Sequence, residues 1–259
     1  MSETRVMEMP DTLQPARASW GERLSWCLPL VFIIGVPSVL ITRLIFLHYF
    51  PSHFVGDSPT ISETASRWPS DVFFEWTMAL VTLCIIMSWS LNVVRNRRRL
   101  ARFSRSGIAV TGPAILFALS TFLGISAGLF LMLVAIYNLH DGHDVHMYGS
   151  WAFYITQALA ITLDILFVLW LRRRVDAPEQ RDGLWSRVLV AVGIFLGSWF
   201  FLYMYETKGL AAPDHKYAIQ LVYVSSEYFV AAMFLAYPMT AFSEMRRHFR
   251  EFASGDGQD

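Results

Sequence analysis

The sequence predicts an all-α polytopic membrane protein, a bundle of six transmembrane helices with both termini cytoplasmic. Three observations lead there. Hydrophobic residues make up 54% of the 259 residues and charged residues only 16%, against roughly 25% charged in a soluble domain. The apolar residues fall into six blocks, each close to the ~20 residues that carry a helix across ~30 Å of hydrocarbon. Lysine and arginine gather in alternate connections between those blocks.

Residues 1–26 are predicted to be a cytoplasmic N-terminal tail, 27–242 the six-helix domain and 243–259 a cytoplasmic C-terminal tail. Residues 1–23 mix acids and bases and no small-residue cleavage site follows the first apolar block, so the first helix is expected to be a retained anchor. That helix, predicted over 27–50, carries Pro29 and Pro37, which should kink or weaken it. The second, over 73–91, follows Pro69, with Ser70 or Asp71 placed to cap it and acids at its positive end. The third, over 113–136, spaces Ser120, Gly124 and Gly128 by four residues, and the fifth, over 188–205, does the same with Gly193 and Gly197. Small residues at that spacing let two backbones approach closely. The fourth (149–171) and sixth (217–240) carry polar residues inside their apolar blocks. Most of the six blocks lack the regular polar stripe that a helix of a soluble bundle shows.

Charge sets the orientation. The segments before the first block, between the second and third, between the fourth and fifth, and after the sixth hold 17 Lys or Arg, whereas the other three connections hold three, Arg67, Lys208 and Lys216. The positive-inside rule puts the four basic segments in the cytoplasm. The six arginines of "RNRRRLARFSR" (95–105) are therefore read as a topology signal and not as a nucleic-acid site. Cys27 and Cys84 fall within predicted spans and imply no disulfide. No cofactor is expected.

The predicted outer loops hold most of the histidines. In "NLHDGHDVHMYGS" (138–150), His140, His143 and His146 recur every three residues with Asp141 and Asp144 between them, donor types that suit zinc. Gly142 argues for a turn and no H-E-x-x-H signature is present, so a solvated loop is favoured over a metal site. Helical spacing places His146, Ser150, Gln157 and Asp164 on one face, and Gln220 and Glu227 on another with Tyr223 nearby. Glu227 falls near mid-span, where a carboxylate must be protonated, paired or facing water. Arg43 is the nearest buried cation by sequence. It could pair with Glu227, Glu75 or Glu63, or hold an anionic group of a ligand. The polar stretch "SPTISETASRW" (58–68) is too rich in acceptors for a simple connector. Capping of the second helix leaves Thr60, Ser62, Glu63 and Thr64 unexplained, and a loop folded over the helix ends would wall an outward-facing pocket.

"PTISETA" (59–65) with Pro69, "VHMYGSWAFYITQAL" (145–159) and "YAIQLVYVSSEYFVAAMFLAYPMTAF" (217–242) resemble the signature segments of the Frag1/DRAM/Sfk1 membrane proteins. The sixth-helix segment departs from them at Ser226 and Tyr228, where cysteine and tryptophan are expected. That family includes Golgi proteins that remodel the lipid of GPI anchors, the N-terminal part of Cwh43, Sfk1-type factors affecting phospholipid asymmetry, and DRAM-type modulators of autophagy. The resemblance implies six helices, lipid handling, and Ser62, Glu63, Pro69, His146 and Glu227 as the site.

These readings converge on a protein that binds, remodels or regulates membrane lipid through a polar pocket on the extracellular or lumenal side. Ser62, Glu63, His146 and Glu227 are the candidate catalytic group, and Arg43, Thr60, Thr64, Glu75 and Tyr223 the candidate ligand contacts. His146 would be a general base, Glu63 or Glu227 would orient it, and Ser62 would be a nucleophile in acyl transfer or hydrolysis. A non-enzymatic scaffold or regulator is favoured over catalysis, and a proton- or ion-coupled transporter is the third class. Membrane lipids are the expected partners, with a protein partner or a second copy also open. The plasma or inner membrane and the endomembranes fit equally well.

Overall fold

The computed structural model describes residues 19–53, 58–174, 183–210 and 212–253. The tail expected over 1–26 enters it only from residue 19, and the C-terminal tail only as far as residue 253. In chain order the helices are α1 (Trp20–Leu24), α2 (Cys27–Tyr49), α3 (Ile61–Thr64), α4 (Ser70–Arg105), α5 (Thr111–Ile136), α6 (His143–Arg174), α7 (Leu184–Lys208), α8 (Lys216–Ala236) and α9 (Phe242–Ala253). No strand occurs among the described residues. Six of the helical segments are long and apolar enough to cross a membrane, and they are built on α2, α4, α5, α6, α7 and α8. Each span packs against the next in chain order, and α8 returns to α2, so the six close into a ring. Phe122, Leu189, Leu196 and Trp199 remain exposed on the outside, the arrangement that hydrocarbon and not water selects.

The element ends depart from the sequence expectation in physically simple ways. At 36 residues α4 is about 54 Å long, beyond the ~30 Å of hydrocarbon, so its arginine-rich end stands clear of the bilayer core. Arg, Leu and Ala are good helix formers, and the run read as a basic connection simply continues the helix. The predicted kinks of the first span reduce to one interior proline, Pro37. Pro29 is the third residue of α2, where a backbone N–H has no intrahelical acceptor to lose. The sixth span stops at Ala236, before Pro238, which cannot donate to the helical ladder. A 3-10 turn (Pro238–Ala241) then leads into α9.

Part of what the sequence offered as a C-terminal tail is thus a packed helix. Met245 and Phe249 of α9 share a small core with Leu28 and Leu91. Gly21 of α1 lies flat on the Phe249 ring, where a Cβ would come within 2.2 Å. Glu22 accepts hydrogen bonds from Arg246 (3.1 Å) and Arg250 (2.8 Å). Deeper at this end, one carboxylate oxygen of Glu244 accepts from both Arg95 (3.0 Å) and Arg187 (2.8 Å). Asp164 accepts from the Tyr237 hydroxyl (2.8 Å) and Asn92 (3.3 Å). Arg187 also stands 3.5 Å from Asp164, an ion-pair distance without hydrogen-bond geometry. α4, α6, α7 and α9 are therefore joined through buried charge at the arginine-rich end.

Candidate functional site

The opposite end of the bundle is organised by the connection between α2 and α4. Its sequence T-I-S-E is a capping box. Thr60 Oγ1 accepts the Glu63 N–H (3.1 Å) and the Glu63 carboxylate accepts the Thr60 N–H (2.6 Å), which stabilises the single turn of α3. Thr64 is fully buried and donates its hydroxyl to the Ile61 carbonyl (2.8 Å). Three side chains from the spans then fasten this turn. Glu227 of α8 accepts the Ile61 N–H (3.1 Å). Gln220, two turns earlier on α8, donates to the Ser58 carbonyl (3.0 Å). Arg43 of α2 donates to the Pro59 carbonyl (2.7 Å) and the Ser58 hydroxyl (2.9 Å), and its guanidinium stands 5.4 Å from the centre of the Tyr228 ring.

His146 enters from α6. The helix begins at His143 and not at 149, so His143 and His146, expected in a loop, occupy its first turn, while His140 lies in the turn before it. The ring is buried, with Nδ1 2.7 Å from the Tyr137 carbonyl oxygen and Nε2 2.8 Å from Ser62 Oγ. A carbonyl oxygen only accepts, so Nδ1 carries the proton and the Nε2 lone pair faces the Ser62 hydroxyl. The 58–68 stretch, puzzling as a connector, is a turn stitched to three spans that holds Ser62 against His146.

Beneath this turn lies a cavity of about 300 Å³. Its floor is apolar, formed by residues such as Val39, Met78, Leu131, Phe153 and Leu235. Thr60, Ile61, Ser62 and Glu63 supply one wall, and Glu227, Tyr223, Tyr205 and Lys208 another part of the lining. Tyr223 stacks on Phe201 with ring centroids 5.1 Å apart, and the Lys208 ammonium sits 4.0 Å from the Tyr223 ring centre. Such a lining, mostly apolar with a few polar groups, suits an amphipathic molecule.

The structure brings Ser62, Glu63, Thr60, Tyr223 and Glu227 to one cavity and sets His146 directly behind Ser62. It does not bring Glu75 there, which is exposed on α4 and outside the lining. Neither carboxylate expected to orient His146 does so among its hydrogen bonds. Glu63 and Glu227 hold backbone N–H groups, and the Tyr137 carbonyl holds the imidazole. Arg43, expected beside a carboxylate, is taken up by the loop's carbonyl and hydroxyl oxygens, because an irregular turn leaves such acceptors open. Asp164, placed on the His146 face by helical spacing, belongs to the arginine-rich end instead, so the polar stripe splits into two separate centres. The histidine triplet does not converge. His146 is engaged with Ser62, His143 is exposed at 3.2 Å from Asp144, and no group of three or more metal-ligating side chains occurs among the described residues.

Lys208, Tyr205, Phe201 and Tyr154 line the cavity and were not among the sequence candidates. Lys208 carried a signal, as one of only three cations in the predicted outer connections. The aromatics carried none, since they are indistinguishable from the chain's many lipid-facing rings.

Comparison with known proteins adds one finding. A family model described as the Frag1/DRAM/Sfk1/Cwh43P N-terminal domain matches residues 20–248. No curated protein and no solved structure matches the chain.

Proposed function

The chain belongs to the Frag1/DRAM/Sfk1/Cwh43P N-terminal domain family, and we propose that this multi-pass membrane protein binds a membrane lipid in the cavity under the 58–68 turn. The observation that carries the reading is the lining itself. A cavity of about 300 Å³ with an apolar floor has room for part of one acyl chain, and the polar groups of its lining can meet an ester or headgroup. Lys208 offers a cation and Ser62 a hydroxyl, while Glu63 and Glu227 keep the wall in shape. By the positive-inside rule the cavity end faces the extracellular or lumenal side.

Lipidomics on the detergent-purified protein tests this, comparing wild type with Ala231→Phe, which fills the cavity lining from α8. Wild type is expected to retain one defined lipid class at near-stoichiometric amount, and the variant to lose it. The same unselective lipid mixture on both proteins would overturn the reading. Binding of this kind needs no chemistry, and it accommodates a regulator of membrane lipid as readily as an enzyme.

A further inference from the structure

We propose that Ser62 and His146 form a nucleophile–base pair that transfers the acyl group of a membrane-lipid ester, an activity that rests on the lipid-binding reading above. The geometry is specific. Ser62 lines the cavity while His146 does not, so the hydroxyl is presented to a bound molecule and the imidazole lies behind it. The Ser62 Oγ to Nε2 distance of 2.8 Å is within reach for proton transfer. The Tyr137 carbonyl, 2.7 Å from Nδ1, selects the tautomer in which Nε2 is the acceptor. It takes the orienting place that a carboxylate holds in a Ser-His-acid triad.

The surrounding turn supports the assignment independently. The backbone N–H groups on either side of Ser62 are both held, that of Ile61 by the Glu227 carboxylate and that of Glu63 by the Thr60 hydroxyl, with the Glu63 carboxylate closing the capping box on Thr60. These ties hold Ser62 Oγ in place against His146, and small displacements from a reacting geometry are costly in rate. Glu227 and Glu63 are then positioning residues.

In the first step Ser62 Oγ bonds to the acyl carbonyl carbon as its proton passes to His146 Nε2. The bond from that carbon to the ester's alkyl oxygen breaks, and the departing alcohol takes the proton from His146. In the second step a hydroxyl compound, water or the alcohol of another lipid, gives its proton to Nε2 and attacks the acyl-serine carbonyl. The bond from that carbon to Ser62 Oγ breaks, and Ser62 takes its proton back from His146. Water gives hydrolysis and a lipid alcohol gives acyl exchange; no oxidant or reductant enters.

The test uses the full chain in detergent with a long-chain alkyl fluorophosphonate, and in parallel with a photoreactive diacyl phospholipid. Attack of Ser62 Oγ on phosphorus expels fluoride, and the adduct is located by peptide mass spectrometry. Expected is labelling of Ser62 in preference to Ser150, which also lines the cavity. It should be absent in Ser62→Ala and slower on the order of 100-fold in His146→Gln. If the variants fail to fold, the wild-type preference for Ser62 over Ser150 decides the matter alone. Absence of Ser62 labelling, or a rate unchanged by His146→Gln, overturns the acyl-transfer inference, and photolipid cross-linking to the cavity would then leave the binding reading standing. Labelling of Ser62 without cavity cross-linking would retain the pair and overturn lipid binding. Loss of both signals removes both.

Discussion

Glu227 shows what a single buried carboxylate does in this molecule. Its place within the span suggests a functional charge, and its partner is a backbone N–H 166 residues away in the chain, that of Ile61. Replacing it with alanine leaves the Ile61 N–H buried without an acceptor, which costs about 1–3 kcal/mol. Glu227→Ala should therefore lower the thermal unfolding midpoint and speed hydrogen exchange at Ile61, while Glu227→Gln, which keeps a carbonyl oxygen, should do less of both. Equal effects from the two substitutions would show that charge and not hydrogen bonding is what the site uses. Arg43 teaches the complementary lesson. Charge reasoning sends a half-buried guanidinium to a carboxylate, yet here two uncharged oxygens of a turn satisfy it.

Among the elements, the α4–α5 contact depends on an absence. A Cβ on Gly124 would come within 2.1 Å of the Trp89 indole, so the ring occupies the space that the glycine leaves. Gly124→Ala should destabilise by about 1–3 kcal/mol through overpacking, read as a lower unfolding midpoint in detergent. Adding Trp89→Leu should recover part of the loss; a double variant no better than Gly124→Ala would mean the glycine matters for another contact. The four-residue spacing of Ser120, Gly124 and Gly128 made this contact legible in the sequence, although not its partner. The six spans were legible for the same kind of reason: hydrocarbon imposes a length and a composition that nothing else in the chain imitates. Their ends were less so, because helices built of Arg, Leu and Ala do not stop where the bilayer does. At the site, the acceptor-rich wall over 58–68 could be read, and T-x-x-E at 60–63 held an unused capping signal. Ser62 and His146 are 84 residues apart, beyond the reach of any periodicity, and it is the family resemblance that names them together.

At the scale of the whole molecule, two polar centres sit at opposite ends of the ring, one around the cavity and one around Glu244. The second is the more exposed to a single change. Glu244→Ala leaves the Arg95 and Arg187 guanidiniums, both fully buried, without the carboxylate oxygen they share. Loss of one partner from a buried ion pair costs about 3–5 kcal/mol, so the variant should show a sharp drop in folded yield, measured as the monodisperse fraction after purification. A yield equal to wild type would show that the arginines find water or lipid phosphate in its place.

Glu244 also sets an order of events. The two cations it neutralises belong to α4 and α7, which are synthesised before it, while it arrives on α9 after every span has emerged. Until then Asp164 is the buried acid that stands beside Arg187 at the arginine-rich end. The last helix is thus the one that completes the neutralisation, and a chain ending before residue 244 would carry all six spans without the acid that their arginine-rich end requires.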